Sequence, residues 1–398
     1  DPWAAMVQPP IDRFRQQYHP LQFEDHRNGH RLQGMINRTR VKGEGDFPVV
    51  RCVDSALQFM TENAGTDGWM LQMETFDPHE PFHAPDGYRD GDTGYEGPVL
   101  DWPRYKTVDE TPEEVAELRD NYASVLSDAS IDSVILATPN RLHHTHIIEA
   151  AEAGKFIFCE KPLCLNTKNA KEAIRSCKEN GIVLGLGHER RFEPAMKSLF
   201  DHVARGDIGR VLHVETNFSH DLFDNLSKDN WRFNPKDAPG GGFTARGIHL
   251  TDFMVHMFGG AKRVYSTMSS IAYEKPRIDT MSANIEFGNG ITGIVSVSIA
   301  TPFYGRYTVF GDKGWIEARE INNFEHDDPG ELVFCKQGGE RIITTHPHTN
   351  TVLENFELWH DACVNNQDYP ITPEEMIANI EIFEAIVKSG ETGEIVDI

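Results

Sequence analysis

Val134-Ile135-Leu136-Ala137-Thr138-Pro139-Asn140 and, beyond it, Phe156-Ile157-Phe158-Cys159-Glu160-Lys161-Pro162 decide how this chain is read. In each, a short apolar run empties into a polar loop, and Leu142 to Ala153 between them carries its apolar residues at helical spacing. A second helix, Asn169 to Asn180, and a further strand, Val183 to Gly187, continue the alternation. Strand, helix, strand in this order predicts parallel strands joined by crossover helices. Both polar loops then lie at the carboxyl ends of their strands, where a doubly wound sheet receives ligands.

Further along the chain the texture changes. Strands follow at closer spacing: Val211 to Phe218, Arg263 to Ser269, Met281 to Glu286, Ile291 to Ser298, Tyr307 to Phe310 and Trp315 to Ala318. Gly288-Asn289-Gly290 is a hairpin signal, since its turn residues must tolerate positive φ. A mostly antiparallel sheet follows, with Thr351 to Asn365 and Pro373 to Ser389 as amphipathic helices expected to cover it. The fold class is α/β: a partial Rossmann-like parallel sheet, then an α+β domain.

Toward the start, from Asp1 to about Tyr122, the sequence is irregular, with only Phe47 to Asn63 spaced as a helix and Trp69 to Phe76 as a strand. Residues 1 to 130 contain no G-x-G-x-x-G turn, and Gly91, Gly94 and Gly97 have the wrong spacing for one. We therefore divide the chain at residues 1–122, 123–190 and 191–398.

The 398 residues carry a formal charge of -24, which disfavours a nucleic-acid partner because such binding draws on clustered Lys and Arg. No apolar run is long enough to span a membrane, and the first residues lack a signal-peptide pattern, so a cytoplasmic chain is expected. Six cysteines without C-x-x-C spacing predict reduced thiols rather than a disulfide framework or a zinc ribbon. His143, His144 and His146 have no Cys or carboxylate at ligand spacing, so they predict a solvated helix face and no metal.

Several motifs follow one another in fixed order: Ile131 through Asn140, Ala153-Gly154-Lys155 leading to Cys159-Glu160-Lys161-Pro162, Arg191-Phe192 with Pro194, Trp231-Arg232, Pro239-Gly240-Gly241-Gly242, Gly247-Ile248-His249-Leu250-Thr251-Asp252 and Gly311-Asp312-Lys313-Gly314. With these, residues 123–398 resemble the Gfo/Idh/MocA family of NAD(P)-dependent oxidoreductases acting on sugars and cyclitols. The resemblance implies NAD or NADP as cofactor, with Thr138, Pro139, Asn140, Glu160 and Lys161 at its nicotinamide end. It implies Lys161 and His249 as the catalytic pair, and Arg191, Trp231 and Arg232 toward a small-molecule substrate. A histidine exchanges protons near neutral pH and a lysine stabilises a developing alkoxide. Many members carry an aspartate four residues before the histidine, where this chain has Ala245. Without a phosphate-binding turn the cofactor should bind poorly and activity should be weak or absent, and the open sheet offers a surface for self-association.

Residues 1–122 are similar to an interior α/β segment of a sulfatase of the alkaline phosphatase superfamily, through Asp1-Pro2-Trp3, Asp77-Pro78-His79-Glu80-Pro81-Phe82, Ala84-Pro85 and Tyr95-Glu96-Gly97. That resemblance implies His79 facing a sulfate ester. The formylglycine segment and the remaining metal ligands are missing, so sulfatase activity is not expected. The two resemblances together imply a chimera, joined between Arg119 and Asp128, with a non-catalytic fusion as the third reading.

Overall fold

The computed structural model describes residues 131–398 apart from 222–229, 275–277, 321–327 and 366, together with the single positions 96, 111 and 126. The helix expected at 47–63, the strand expected at 69–76, His79 and the fragment 1–122 lie outside these residues. Asp132 to Ile398 forms one compact unit.

Three parallel strands open this unit: β1 (Ser133–Leu136), β2 (Phe156–Cys159) and β3 (Leu184–Leu186), paired in that order. Helix α1 (His143–Glu152) links the first two and α2 (Thr167–Glu179) the next two. The Asn166 side chain caps α2 by accepting from the Asn169 N–H, and its buried Ala170, Ala173 and Cys177 form one narrow stripe. Small residues there let the helix lie close against its neighbours.

After a 3-10 turn (Glu189–Phe192) and α3 (Pro194–Ala204), β4 (Val211–Ser219) enters a second sheet. A π turn (Phe243–Gly247) runs directly into α4 (Ile248–Phe258). The sheet is completed by β5 (Ala261–Ser269), β6 (Thr280–Phe287), β7 (Thr292–Ser298), β8 (Tyr304–Gly311), β9 (Gly314–Glu320), β10 (Gly330–Lys336), β11 (Arg341–His346) and the short β12 (Val396–Asp397). Its order is β11-β10-β9-β8-β4-β7-β6-β5-β12, antiparallel throughout except for β4 beside β7. The hairpin read at Gly288-Asn289-Gly290 joins β6 to β7, with Gly290 at φ +82°. Along β6, Met281, Ala283, Ile285 and Phe287 point inward in strict alternation.

The inner face is covered by α4 and by the last helix, α6 (Pro373–Thr392), which starts in a capping box between Thr372 and Glu375. Helix α5 (Thr351–Val364) departs from the sequence expectation. It docks on the parallel sheet, because Phe356 and Trp359 present rings to Phe158 at 4.1 and 5.6 Å between centroids. Asn355 donates to the Leu186 carbonyl at 2.9 Å, and the Tyr369 hydroxyl sits 3.1 Å from both the amide nitrogen and the carbonyl oxygen of Leu186. The outer edge of β3 is thus satisfied by side chains from the end of the chain.

Candidate active site

Four segments converge at the carboxyl edge of the parallel sheet: the loop after β1, the loop after β2, the turn after β3, and the π turn leading into α4. The first loop is held by Asn140, which donates to the Asp237 carbonyl at 2.8 Å. His143 binds the first two together. One ring nitrogen lies 2.8 Å from the Pro162 carbonyl and the other 2.9 Å from that of Thr138. This corrects the expectation of a solvated face, since His143 is completely buried. His144 pairs with Glu172 at 3.2 Å and His146 with the Thr138 hydroxyl at 3.1 Å. Among the described residues no cluster of His, Cys, Asp and Glu could hold a metal.

Glu160 lies across Gly187, where an added Cβ would come within 3.1 Å of its carboxylate. Gly187 therefore works as a cradle for that side chain. Lys161 reaches across to the π turn and donates to the Ala245 carbonyl at 2.7 Å. Burial pushes its ammonium below the ordinary lysine range, while Glu160 and Glu189 pull the other way. The π turn depends on close packing: a Cβ on Gly247 would fall 1.8 Å from the Phe243 ring, and one on Gly242 2.3 Å from Ile299. Wide helical turns of this kind recur at functional sites.

His249, on the first turn of α4, is almost fully buried. Burial holds its imidazole neutral, well below the usual histidine range, helped by Lys161, His188, Arg190 and Arg246. Its Nδ1 lies 3.4 Å from Nδ1 of His188, with the two rings edge to face, and its Nε2 lies 3.9 Å from a Glu189 oxygen. Asn379 of α6 donates to His188 Nε2 at 3.2 Å, and burial lowers His188 to about 4. Burial likewise raises Glu189 to about 7, against the opposing pull of Arg190 and Lys161.

Of the residues singled out by sequence, the structure brings Thr138, Pro139, Asn140, Glu160, Lys161 and His249 to this edge. Trp231 and Arg232 stack on one another, with the guanidinium 4.4 Å from the indole. Arg232 also borders a small cavity with Phe233, Pro239 and Ile278. Arg191 has a different occupation from the one expected. It forms a two-pronged ion pair with Asp252, 2.7 Å at each prong, and its third nitrogen meets Glu375 at 3.1 Å and His256 at 3.2 Å. A guanidinium so committed fastens α4 and α6 to the turn after β3.

Sequence reasoning missed His188, Glu189 and Asn379. The first two carried a signal: Leu184-Gly185-Leu186-Gly187 runs into four consecutive ionisable residues, His188 to Arg191, at the carboxyl end of a parallel strand. Asn379 carried none, because nothing in an amphipathic helix marks which polar residue faces a distant histidine.

Two family descriptions match the chain: "Oxidoreductase family, NAD-binding Rossmann fold" over residues 103–188 and "GFO/IDH/MocA C-terminal domain" over residues 196–317. Scyllo-inositol 2-dehydrogenase (NAD(+)) of Bacillus subtilis is 30% identical over 289 residues, covering 68% of this chain and 78% of that protein. D-xylose 1-dehydrogenase (NADP(+)) 2 of Haloferax volcanii is 29% identical, covering 70% and 84%. Among solved structures, the aldose-aldose oxidoreductase of Caulobacter crescentus in complex with glycerol superposes with a TM-score of 0.63 at 22% identity, covering 70% of this chain and 83% of that one. The comparisons give no support to a sulfatase segment or a chimera, and the Rossmann match begins at residue 103, inside the stretch read as sulfatase-like. Among the described residues no helix is long and apolar enough to cross a membrane.

Proposed function

Because the chain belongs to the Gfo/Idh/MocA oxidoreductase family, we propose that it is an NAD(P)-dependent dehydrogenase oxidising a secondary hydroxyl of a sugar or cyclitol. The observation that carries this reading is the meeting of a half-buried lysine and a buried neutral histidine at the carboxyl edge of the parallel sheet. Such an edge is where a dinucleotide fold presents its cofactor.

The residues present fit the nicotinamide end of NAD or NADP. The Thr138-Pro139-Asn140 loop and Glu160 line that edge, and Gly187 leaves space over the Glu160 carboxylate that any larger residue would fill. When bound, the nicotinamide supplies the hydride acceptor. Lys161, its charge kept partly out of water, donates to the substrate oxygen and favours its alkoxide character. His249, held neutral, is in the state that can exchange a proton with the hydroxyl. Trp231 and Arg232 are assigned to the substrate by the family resemblance alone, whereas Arg191 is engaged by Asp252 and Glu375.

The test is formation of reduced cofactor when the purified chain meets a panel of aldoses, inositols and anhydrosugars with NAD or NADP. No turnover with any of them, under conditions where the dinucleotide binds, refutes the reading. Fluorescence titration with NADH and NADPH separately checks the weak binding expected from the lack of a G-x-G-x-x-G turn in residues 1–130.

A further inference from the structure

We infer that the substrate carries a carboxylate, as a sugar acid does, and that Arg246 is the residue that receives it. This inference rests on the function proposed above and deepens it.

The case begins at Phe218, near the end of β4. Three basic side chains surround its ring: the Arg190 guanidinium at 4.1 Å and the Arg246 guanidinium at 5.1 Å from the centroid, and the His249 ring at 6.4 Å between centroids. Arg246 is therefore a neighbour of the histidine assigned to the substrate hydroxyl. It also stands on the π turn beside Ala245, whose carbonyl takes the Lys161 ammonium. The volume these groups share is poor in water, since Arg190, Arg246 and His249 are each no more than 5% exposed. Arg190 is answered by Glu320 in an ion pair.

Among the described residues, the cations acting on this volume are Lys161, Arg190, Arg246 and, through Glu160, Arg232. Three carboxylates face these four: Glu160, Glu189 and Glu320. Positive charge is in excess even when all three are ionised. Burial raises Glu189 to about 7, which widens the excess near neutral pH. Where many relatives supply a carboxylate four residues before the histidine, Ala245 supplies none. The oxidised nicotinamide adds a further positive charge.

A buried excess of charge is costly until a counter-ion joins it. The group that enters this site in every turnover is the substrate, and a guanidinium pairs with a carboxylate through two parallel N–H···O bonds. A neutral polyol leaves the excess in place, whereas a uronate or aldonate cancels part of it. Arg246 thereby sets specificity, and the hydride and proton transfers of the proposed reaction are unaltered.

The experiment uses the whole chain with NAD and NADP and compares matched pairs: D-glucuronate with D-glucose, D-galacturonate with D-galactose, and D-gluconate with D-glucitol. In the pair turned over best, kcat/KM should favour the acid about 10- to 100-fold. R246M should bring that ratio close to one, and R246K should recover part of it. A variant that only distorts the site lowers both members of a pair and leaves the ratio standing. Turnover of neutral sugars alone, a ratio at or below one in every pair, or an unchanged ratio in R246M overturns the inference. A preference for D-glucose 6-phosphate over D-glucuronate also overturns it. If wild type turns over no sugar of either kind, the functional reading fails. Calorimetric titration of D-glucuronate and D-gluconate with NADH present then still decides the anion site: binding that R246M loses upholds it, and no binding overturns it.

Discussion

The carboxyl edge of the three-stranded sheet and the far edge of the nine-stranded sheet are built from similar strands with opposite demands. At the first, buried ionisable groups crowd together: His143, His188, Glu189, Arg190, Arg191 and His249 are all nearly inaccessible. At the second, β11 is exposed along its length, with Ile342 and Ile343 58% and 63% accessible. Buried polar groups are costly unless each is partnered, so the first edge is rigid and intolerant. The second tolerates change because its substitutions alter little that is desolvated.

The largest effects should come from the chemistry itself. His249→Asn and Lys161→Met should each reduce turnover about 10²- to 10⁴-fold and also lower the thermal midpoint, because each leaves a buried partner unmatched; turnover within a few-fold of wild type would make these residues structural. Next in size is Arg191→Met, which leaves Asp252 buried without its partner. Urea unfolding should show a loss of about 3–5 kcal/mol, and a loss below 1 kcal/mol would mean the pair is replaceable. Gly247→Ala should cost about 1–3 kcal/mol through the collision with Phe243, with reduced turnover from a displaced His249.

A smaller effect is the pH dependence of stability. His188 titrates near 4 when folded, against an ordinary 6.5, so as pH falls the unfolded chain takes up the proton first. Its contribution is intact above pH 6.5 and is lost progressively down to about pH 4, and His188→Gln should flatten unfolding free energy in that window. At the bottom of the scale, Ile343→Thr should shift stability by less than about 0.5 kcal/mol and leave turnover unchanged. An effect comparable with Gly247→Ala would erase the contrast between the two edges.

Much of the fold was legible where burial imposes a period. The strands of the parallel sheet are short apolar runs, and β6 and β7 alternate cleanly about a glycine-flanked turn. The strand β11 left no such mark, because a strand exposed on both faces has no alternation to betray it, and α3 was read only as a motif-bearing stretch. The placement of α5 was misread for another reason. An apolar stripe shows that a helix is covered but not by which sheet, and the aromatic match of Phe356 and Trp359 with Phe158 decided it. In the site, Thr138, Pro139, Asn140, Glu160, Lys161 and His249 came together, while Trp231 and Arg232 stack on one another and Arg191 is taken up by Asp252 and Glu375; of the groups that set their protonation, Glu160 and Lys161 carried a motif and His188 and Glu189 did not.

The outer edge of β3, occupied by Asn355 and Tyr369, gives the small sheet a direction. Strand addition needs a row of free amide and carbonyl groups, and on that side the groups of Leu186 are already engaged by side chains. On that flank a further strand is barred from pairing at Leu186. Asn355 and Tyr369 thereby act as a stopper at that end of β3.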